Sequence, residues 1–270
     1  MPEAKGDILD NILKELRSFV VAFSGGVDSS FLLYRAHGLK KVNVIGVTIR
    51  TPYIPVAEIE EASAFAEAYG IRHRIIDLVF PETLRDNPES RCYLCKKILF
   101  TEVKRYASEN GFLNVIEGTN ADDSRDYRPG IRALRELEIR SPLQEAGLTK
   151  KEIRELLRQD GLSIWDKPAM ACLLTRIPYE TRVQESMLCM IEKAERYLFE
   201  RGYPGTRVRL HGDIARIECL PGYFEKIIQP DERKEIINYL KNTGFRYVSL
   251  DLEGYRSGSL NGKKKHNDPE

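Results

Sequence analysis

Apolar and polar positions fall into two alternating rhythms over the first half of the chain. Residues 18–23 (SFVVAF) form a short continuous apolar run, as expected of a strand buried on both faces of a parallel sheet. Further β-branched runs at 42–49 (VNVIGVTI), 73–79 (HRIIDLV) and 113–119 (LNVIEGT) predict three more strands, and 138–143 (EIRSPL) a fifth. Helical periodicity fills the gaps. One helix is expected over 28–36, ended by His37-Gly38. A second follows Pro52 and Pro55, with Ile59, Ala62, Phe65, Ala66 and Tyr69 on one stripe and Gly70 as its stop. A third spans 96–110, with Leu99, Val103, Tyr106 and Ala107 inward. Thr149-Lys150-Lys151-Glu152 has capping-box spacing and opens a helix carrying Ile153, Leu156 and Leu157 that stops at Gly161. Strands alternating with helices predict an α/β fold, a doubly wound parallel sheet of five strands.

The rhythm changes after residue 179. A helix over 183–201 carries Val183, Met187, Ile191, Ala194 and Leu198 on one face. Two short strands flank His211-Gly212-Asp213 as a hairpin, two helices split at Pro230, and 245–252 (FRYVSLDL) closes the series. The expectation is a first domain over 1–179, a smaller α+β domain over 180–262 and a polar, disordered tail at 263–270.

Composition narrows the class. The 270 residues are 42% hydrophobic and 31% charged, with net charge +1, which describes a globular protein and gives no support to general nucleic-acid or membrane-surface binding. No apolar run reaches the roughly 18 residues needed to span a bilayer. The N-terminal MPEAKGDILDNILKEL reads as an amphipathic helix with dispersed charges rather than a signal peptide, which places the protein in the cytosol. Five cysteines in that compartment argue against a disulfide framework and leave metal binding, catalysis or burial.

Ser24-Gly25-Gly26-Val27-Asp28-Ser29-Ser30 joins the first strand to the first helix. Glycines let the backbone approach an anion, the helix N-terminus offers unpaired N–H groups, and three serines add hydroxyl donors. Asp28 would repel phosphate, so its natural role is to hold Mg²⁺ or to orient the loop. The pattern is not the Walker loop, which requires Gly-Lys-Ser/Thr. A bare Gly-Gly is usually a capped turn, but here seven residues match in strand–loop–helix context. The stretch resembles the SGGxDS signature of the PP-loop ATP pyrophosphatases. That resemblance implies cleavage of ATP between its α and β phosphates, an adenylated intermediate, and ATP at the C-terminal strand ends.

Further motifs run the length of the chain. They are Cys92-Tyr93-Leu94-Cys95-Lys96, residues 117–123 (EGTNADD), Asp126-Tyr127-Arg128-Pro129-Gly130, residues 165–179 (WDKPAMACLLTRIPY), His211-Gly212-Asp213 and residues 254–261 (GYRSGSLN). Together, from Phe19 to Asn261, they resemble the LarE family of sulfur transferases in nickel-pincer nucleotide synthesis. The resemblance implies ATP, Mg²⁺ and a small-molecule substrate, pyridinium-3,5-biscarboxylic acid mononucleotide, whose carboxylate is adenylated and converted to a thiocarboxylate. It also implies a sulfide source and a homo-oligomer. Asp122, Asp123 and Asp126 follow the fourth strand and are hard ligands suited to Mg²⁺, although a solvated acidic turn would look alike. Gly118 and Thr119 are expected to line the nucleotide site, and Lys96 to steer a phosphate. Alternation sets Arg207, Arg209 and His211 on one strand face, where with Arg176 they could seat the mononucleotide phosphate or simply face solvent.

The sulfur source stays open between readings. In one branch of the family a cysteine at the position of Cys172 is consumed and left as dehydroalanine. In the other, three cysteines hold a [4Fe–4S] cluster with one iron open, and Cys92 and Cys95 supply the pair that the first branch lacks. A Cys-x-x-Cys loop opening a helix, with Lys96 and Lys97 beside it, suits thiolates on a cluster. Zinc would want a fourth ligand that no nearby pair supplies, and a redox disulfide is the remaining use. Cys219 alternates with Ile217 and reads as buried, and Cys189 has no assigned role. Asp28, Lys96 and Cys172 are thus the candidate catalytic groups. Two rivals are a tRNA thiolation enzyme, for which the chain lacks zinc ribbons and a basic patch, and a nucleotide sensor that never releases pyrophosphate.

Overall fold

The computed structural model describes residues 2–125, 129–168 and 171–256. Asp126, Tyr127 and Arg128, and the tail expected at 263–270, lie outside the described residues. The chain divides into two compact units, residues 1–84 with 89–170, and residues 85–88 with 171–270.

In the first unit, strands β1 (Ser18–Ala22), β2 (Asn43–Arg50), β3 (His73–Asp77) and β4 (Asn114–Ile116) form one sheet in the order β3-β2-β1-β4. Every pairing is parallel. The apolar run of β1 is buried on both faces because successive side chains point oppositely. Phe19 and Val21 join a core with α1 (Pro2–Leu16), α2 (Val27–Gly38), α3 (Val56–Ala68) and α7 (Lys150–Gln159). Val20 enters the other core, with Phe100, Val103 and Ala107 of α4 (Arg91–Glu109) and Leu134 of α5 (Pro129–Glu136). Helices on both faces of a parallel sheet make the doubly wound α/β fold that the pattern predicts.

Two details differ from expectation. The fifth strand is reduced to an isolated parallel bridge between Ile116 and Arg140. Glu138 has φ +55°, which breaks the extended chain before it, and Pro142 starts the short helix α6 (Pro142–Glu145) just after it. Helix α4 begins at Arg91, so Cys92 and Cys95 sit inside its opening turns rather than in a preceding loop. The capping box is present as read, with the Thr149 hydroxyl accepting from the Glu152 N–H and Glu152 answering to the Thr149 N–H.

In the second unit, β5 (Arg207–His211) and β6 (Ile214–Glu218) form the expected hairpin, turning at Gly212 with φ +59°, and β7 (Tyr247–Leu250) adds in parallel to β6. Helix α8 (Glu185–Glu200) packs on β5 through Leu188, Ile191, Ala194 and Leu198, with Leu188 buried instead of Met187. The short α9 (Phe224–Ile227) precedes α10 (Pro230–Thr243), which packs on α8 and β7. Asn87 anchors residues 85–88 here, donating to the carbonyls of Ile177 and Pro178 at 2.9 Å each.

Candidate active site

The loop after β1 is closed on itself by its serines. Ser29 Oγ lies 3.1 Å from Ser24 Oγ and donates to the Gly26 carbonyl at 3.2 Å, while the Ser24 N–H reaches it at 3.3 Å. Gly25 takes φ +69°, and a Cβ there would stand 2.9 Å from the Ala62 side chain, so only glycine lets the loop lie on α3. Gly26 occupies the N-cap of α2 with no side-chain cap, leaving that helix end open to an anion. Ser30 Oγ is buried without a hydrogen-bond partner.

The turn after β4 lies against this loop, because β4 is the neighbour of β1 and both turns leave the carboxyl edge of the sheet. A Cβ on Gly118 would approach the Ser29 nitrogen to 2.9 Å, so glycine is required there by close backbone contact. Glu117 braces the turn by accepting from the Thr119 N–H at 3.0 Å and the Thr119 hydroxyl at 2.8 Å. Asn120 Oδ1 accepts from the Asp122 N–H at 2.9 Å, and Asp123 Oδ2 accepts from the Asn120 N–H at 3.1 Å.

Asp28 is half-buried in the first turn of α2 rather than exposed on the loop. Its Oδ2 accepts from Lys150 Nζ at 2.6 Å, its Oδ1 is buried, and the Asn120 side chain stands close enough to help hold the carboxylate charged. Burial pushes the Asp28 carboxyl above its ordinary value, the Lys150 ammonium pulls it down, and nearby Asp123 pushes it up. Two oxygens with acceptor capacity to spare, close to Asp123 and facing a phosphate loop, fit a hard divalent cation such as Mg²⁺. Lys150 also donates its backbone N–H to Asp122 Oδ2 at 2.8 Å.

Sequence reasoning missed two lysines. Lys150 was legible only as the first residue of a capped helix. Lys167 donates to the Gly25 carbonyl at 2.7 Å and pairs with Glu61 of α3. Its signal was its place beside the rigid Pro168 in the 165–179 motif. Lys96 lies in α4 with its stem against Gly130, where a Cβ would meet Lys96 Cδ at 2.7 Å.

Cys92 is exposed and Cys95 half-buried, three residues apart and so on neighbouring positions of one face of α4. The buried Tyr53 hydroxyl lies 3.5 Å from Cys95 Sγ. Cys172, half-buried, belongs to the second unit, where Arg176 holds its segment by donating to the Ala171 and Cys172 carbonyls at 2.8 and 3.2 Å. Among the described residues no group of three or more His, Cys, Asp or Glu is gathered to hold a metal ion. Cys219 is fully buried, which pushes its thiol up to about 11.

The face of β5 that carries Arg207 and Arg209 is not a solvent face. Arg209 is buried and donates from Nη2 and Nε to one oxygen, Glu218 Oε2, at 2.7 and 2.9 Å. Arg176 is likewise buried and forks onto the two oxygens of Glu195 at 2.9 Å through Nε and Nη2. Arg207 is buried with its guanidinium 5.6 Å from the Tyr255 ring, and desolvation lowers its pKa. Periodicity registered the side these arginines share but not the carboxylates that meet them.

A serine-braced glycine loop at the carboxyl edge of a parallel sheet, with an aspartate in the helix's first turn, defines an ATP-dependent enzyme of the PP-loop ATP pyrophosphatase superfamily. No family model matches the chain. An uncharacterised protein of Synechocystis sp. is 39% identical over 264 residues, 97% of this chain and 98% of its own. The pyridinium-3,5-bisthiocarboxylic acid mononucleotide synthase of Lactiplantibacillus plantarum is 35% identical over 252 residues, 92% of this chain and 91% of its own. Argininosuccinate synthase of Natronomonas pharaonis is 29% identical over 53% of this chain and 39% of its own. The chain belongs to the LarE family. No described helix is long and apolar enough to cross a membrane.

Proposed function

We propose that this enzyme is an ATP-dependent sulfur transferase acting on pyridinium-3,5-biscarboxylic acid mononucleotide. A carboxylate is a poor acyl donor because its leaving group would be oxide. Attack of one carboxylate oxygen on the α-phosphorus of ATP expels pyrophosphate and leaves an acyl adenylate. Attack of sulfur on that acyl carbon then expels AMP and leaves a thiocarboxylate. The open end of α2 and the loop N–H groups stabilise the departing pyrophosphate, and Asp28 and Asp123, with Asp122 kept from its sequence position, would hold Mg²⁺, which would offset the charge of that leaving group. Asp126 is retained in that set on its sequence position, as Lys96 is for steering phosphate. The observation that carries the reading is the half-buried Asp28 carboxylate, held by Lys150 in the first turn of α2 beside the serine-braced loop.

Cys92, Cys95 and Cys172 are proposed to hold a [4Fe–4S] cluster, which supplies a labile sulfide on the iron that no thiolate occupies. What supports the reading is that Cys92 and Cys95 lie one turn apart on α4, while Cys172 enters it on its place in the family motif. For the mononucleotide phosphate we retain the buried Arg207, Arg209 and Arg176 as one basic group. A cytoplasmic homo-oligomer fed by an external sulfide source completes the proposal.

The test is mononucleotide-dependent pyrophosphate release, with the product identified by mass spectrometry as the thiocarboxylate. Protein purified without oxygen should contain about four irons per chain. Cys92→Ala, Cys95→Ala and Cys172→Ala should each lose most of that iron, while Cys189→Ala and Cys219→Ala keep it. Iron-free active protein that makes one product per chain and converts Cys172 to dehydroalanine would overturn the cluster and leave Cys172 as the consumed donor.

A further inference from the structure

Lys167 stands outside every role described so far, yet its ammonium is mostly buried, with side-chain exposure of 15%. It meets two acceptors in the structure, the Gly25 carbonyl at 2.7 Å and the Glu61 carboxylate at 2.5 Å. Its own segment is fixed from the other side. Arg154 of α7 donates to the Trp165 carbonyl at 2.5 Å and to the Lys167 carbonyl at 2.8 Å. A residue whose backbone is clamped by one helix and whose charge rests on another is poorly placed to wander.

The Gly25–Gly26 peptide is the piece of the loop that can flip. Gly25 has no side chain and sits at φ +69°, and glycine populates both signs of φ with little cost. A trans peptide is planar, so its C=O and the following N–H point in opposite directions. Holding the Gly25 carbonyl at Lys167 therefore aims the Gly26 N–H away from Lys167. That N–H faces Ser24 Oγ at 3.4 Å, at the long limit for a hydrogen bond and easily exchanged for a better acceptor. Gly26 is also the N-cap of α2, so this donor belongs to the anion-binding end of the helix. Without the ammonium, the carbonyl could rotate toward the incoming phosphates and oppose them.

We propose that Lys167 is a positioning residue for the ATP phosphates, acting by locking the Gly25–Gly26 peptide with its N–H toward the anion. This rests on the PP-loop reading of the site. Glu61, more than half exposed, holds the other side of the ammonium and is the secondary partner.

The experiment measures binding of ATP, AMP and inorganic pyrophosphate by calorimetry to the wild-type chain, Lys167→Met, Lys167→Arg and Glu61→Gln. Lys167→Met should weaken ATP and pyrophosphate about tenfold, the scale of one charge-assisted hydrogen bond, and AMP much less. In turnover, the KM for ATP should rise while the KM for the second substrate holds. Lys167→Arg should recover most of the ATP affinity, and Glu61→Gln should keep it. Equal ATP affinity in Lys167→Met and wild type would overturn the proposal, as would an equal loss in Glu61→Gln, which would make the contact a strap to α3. Wild-type protein that fails to bind ATP would instead sink the PP-loop reading beneath it.

Discussion

Substituting Gly118→Ala tests whether the turn after β4 and the phosphate loop work as one unit. The added methyl would lie 2.9 Å from the Ser29 nitrogen and 3.2 Å from both the Asp28 carbonyl carbon and the Ser29 Cα. All three are backbone atoms of the first turn of α2, so no side chain can swing aside. Ordinary contact begins at 3.4 Å, so the turn and the helix must separate by roughly 0.5 Å. Overpacking of this kind costs about 1–3 kcal/mol. The displaced residues are Asp28 and Ser29, whose oxygens face Lys150 and Ser24. Stability and nucleotide binding should therefore fall together. Urea denaturation should show the loss at constant m-value, and calorimetry should show ATP binding weakened by about tenfold. Wild-type stability and ATP affinity in Gly118→Ala would refute the close contact. A stability loss with full ATP affinity would refute the coupling of turn to loop.

Two further outcomes are expected. Glu152 is pushed up by its partial burial but pulled down further by Lys5 and by the Thr149 backbone and hydroxyl, to about 2. A carboxyl with a depressed folded pKa contributes its stability above its ordinary value of 4.5 and loses it as pH falls through about 2. Glu152→Gln should be less stable than wild type at pH 7 by no more than about 1 kcal/mol, with the gap closing between pH 4.5 and about 2 in acid-unfolding curves. A gap that stays constant across that range would remove the ionised carboxylate from the cap. In the second unit, Glu218 is fully buried between Arg209 and Arg216, so Glu218→Ala strands a buried guanidinium and should cost about 3–5 kcal/mol in thermal or urea unfolding. A cost below about 1 kcal/mol would show that Arg209 is solvated without its partner.

The sequence by itself determined the elements whose physics is local. The β1 run needed burial on both faces, and the loop 24–30 needed its glycines at a strand-to-helix junction. Thr149 and Glu152 could cap only a helix that starts between them. These features depend on residues within one turn or one strand of each other, and the chain spells them out. Motif spacing also carried the family, since that resemblance survives without any knowledge of contacts. Tertiary structure decided what depends on approach. EIRSPL reads as a strand, but Glu138 and Pro142 leave room for a single bridge at Arg140. Gly118 looks like any turn glycine until the first turn of α2 is laid against it. Asp28 looks exposed until Lys150, 122 residues later, closes over it. Alternation put Arg207 and Arg209 on one face of β5 but could not tell a face that meets water from one that meets Glu218, because period two registers side and not neighbour. Lys167 stood in the 165–179 motif, but its partner is a backbone carbonyl that any residue could have supplied, so no pattern in the chain paired it with Gly25.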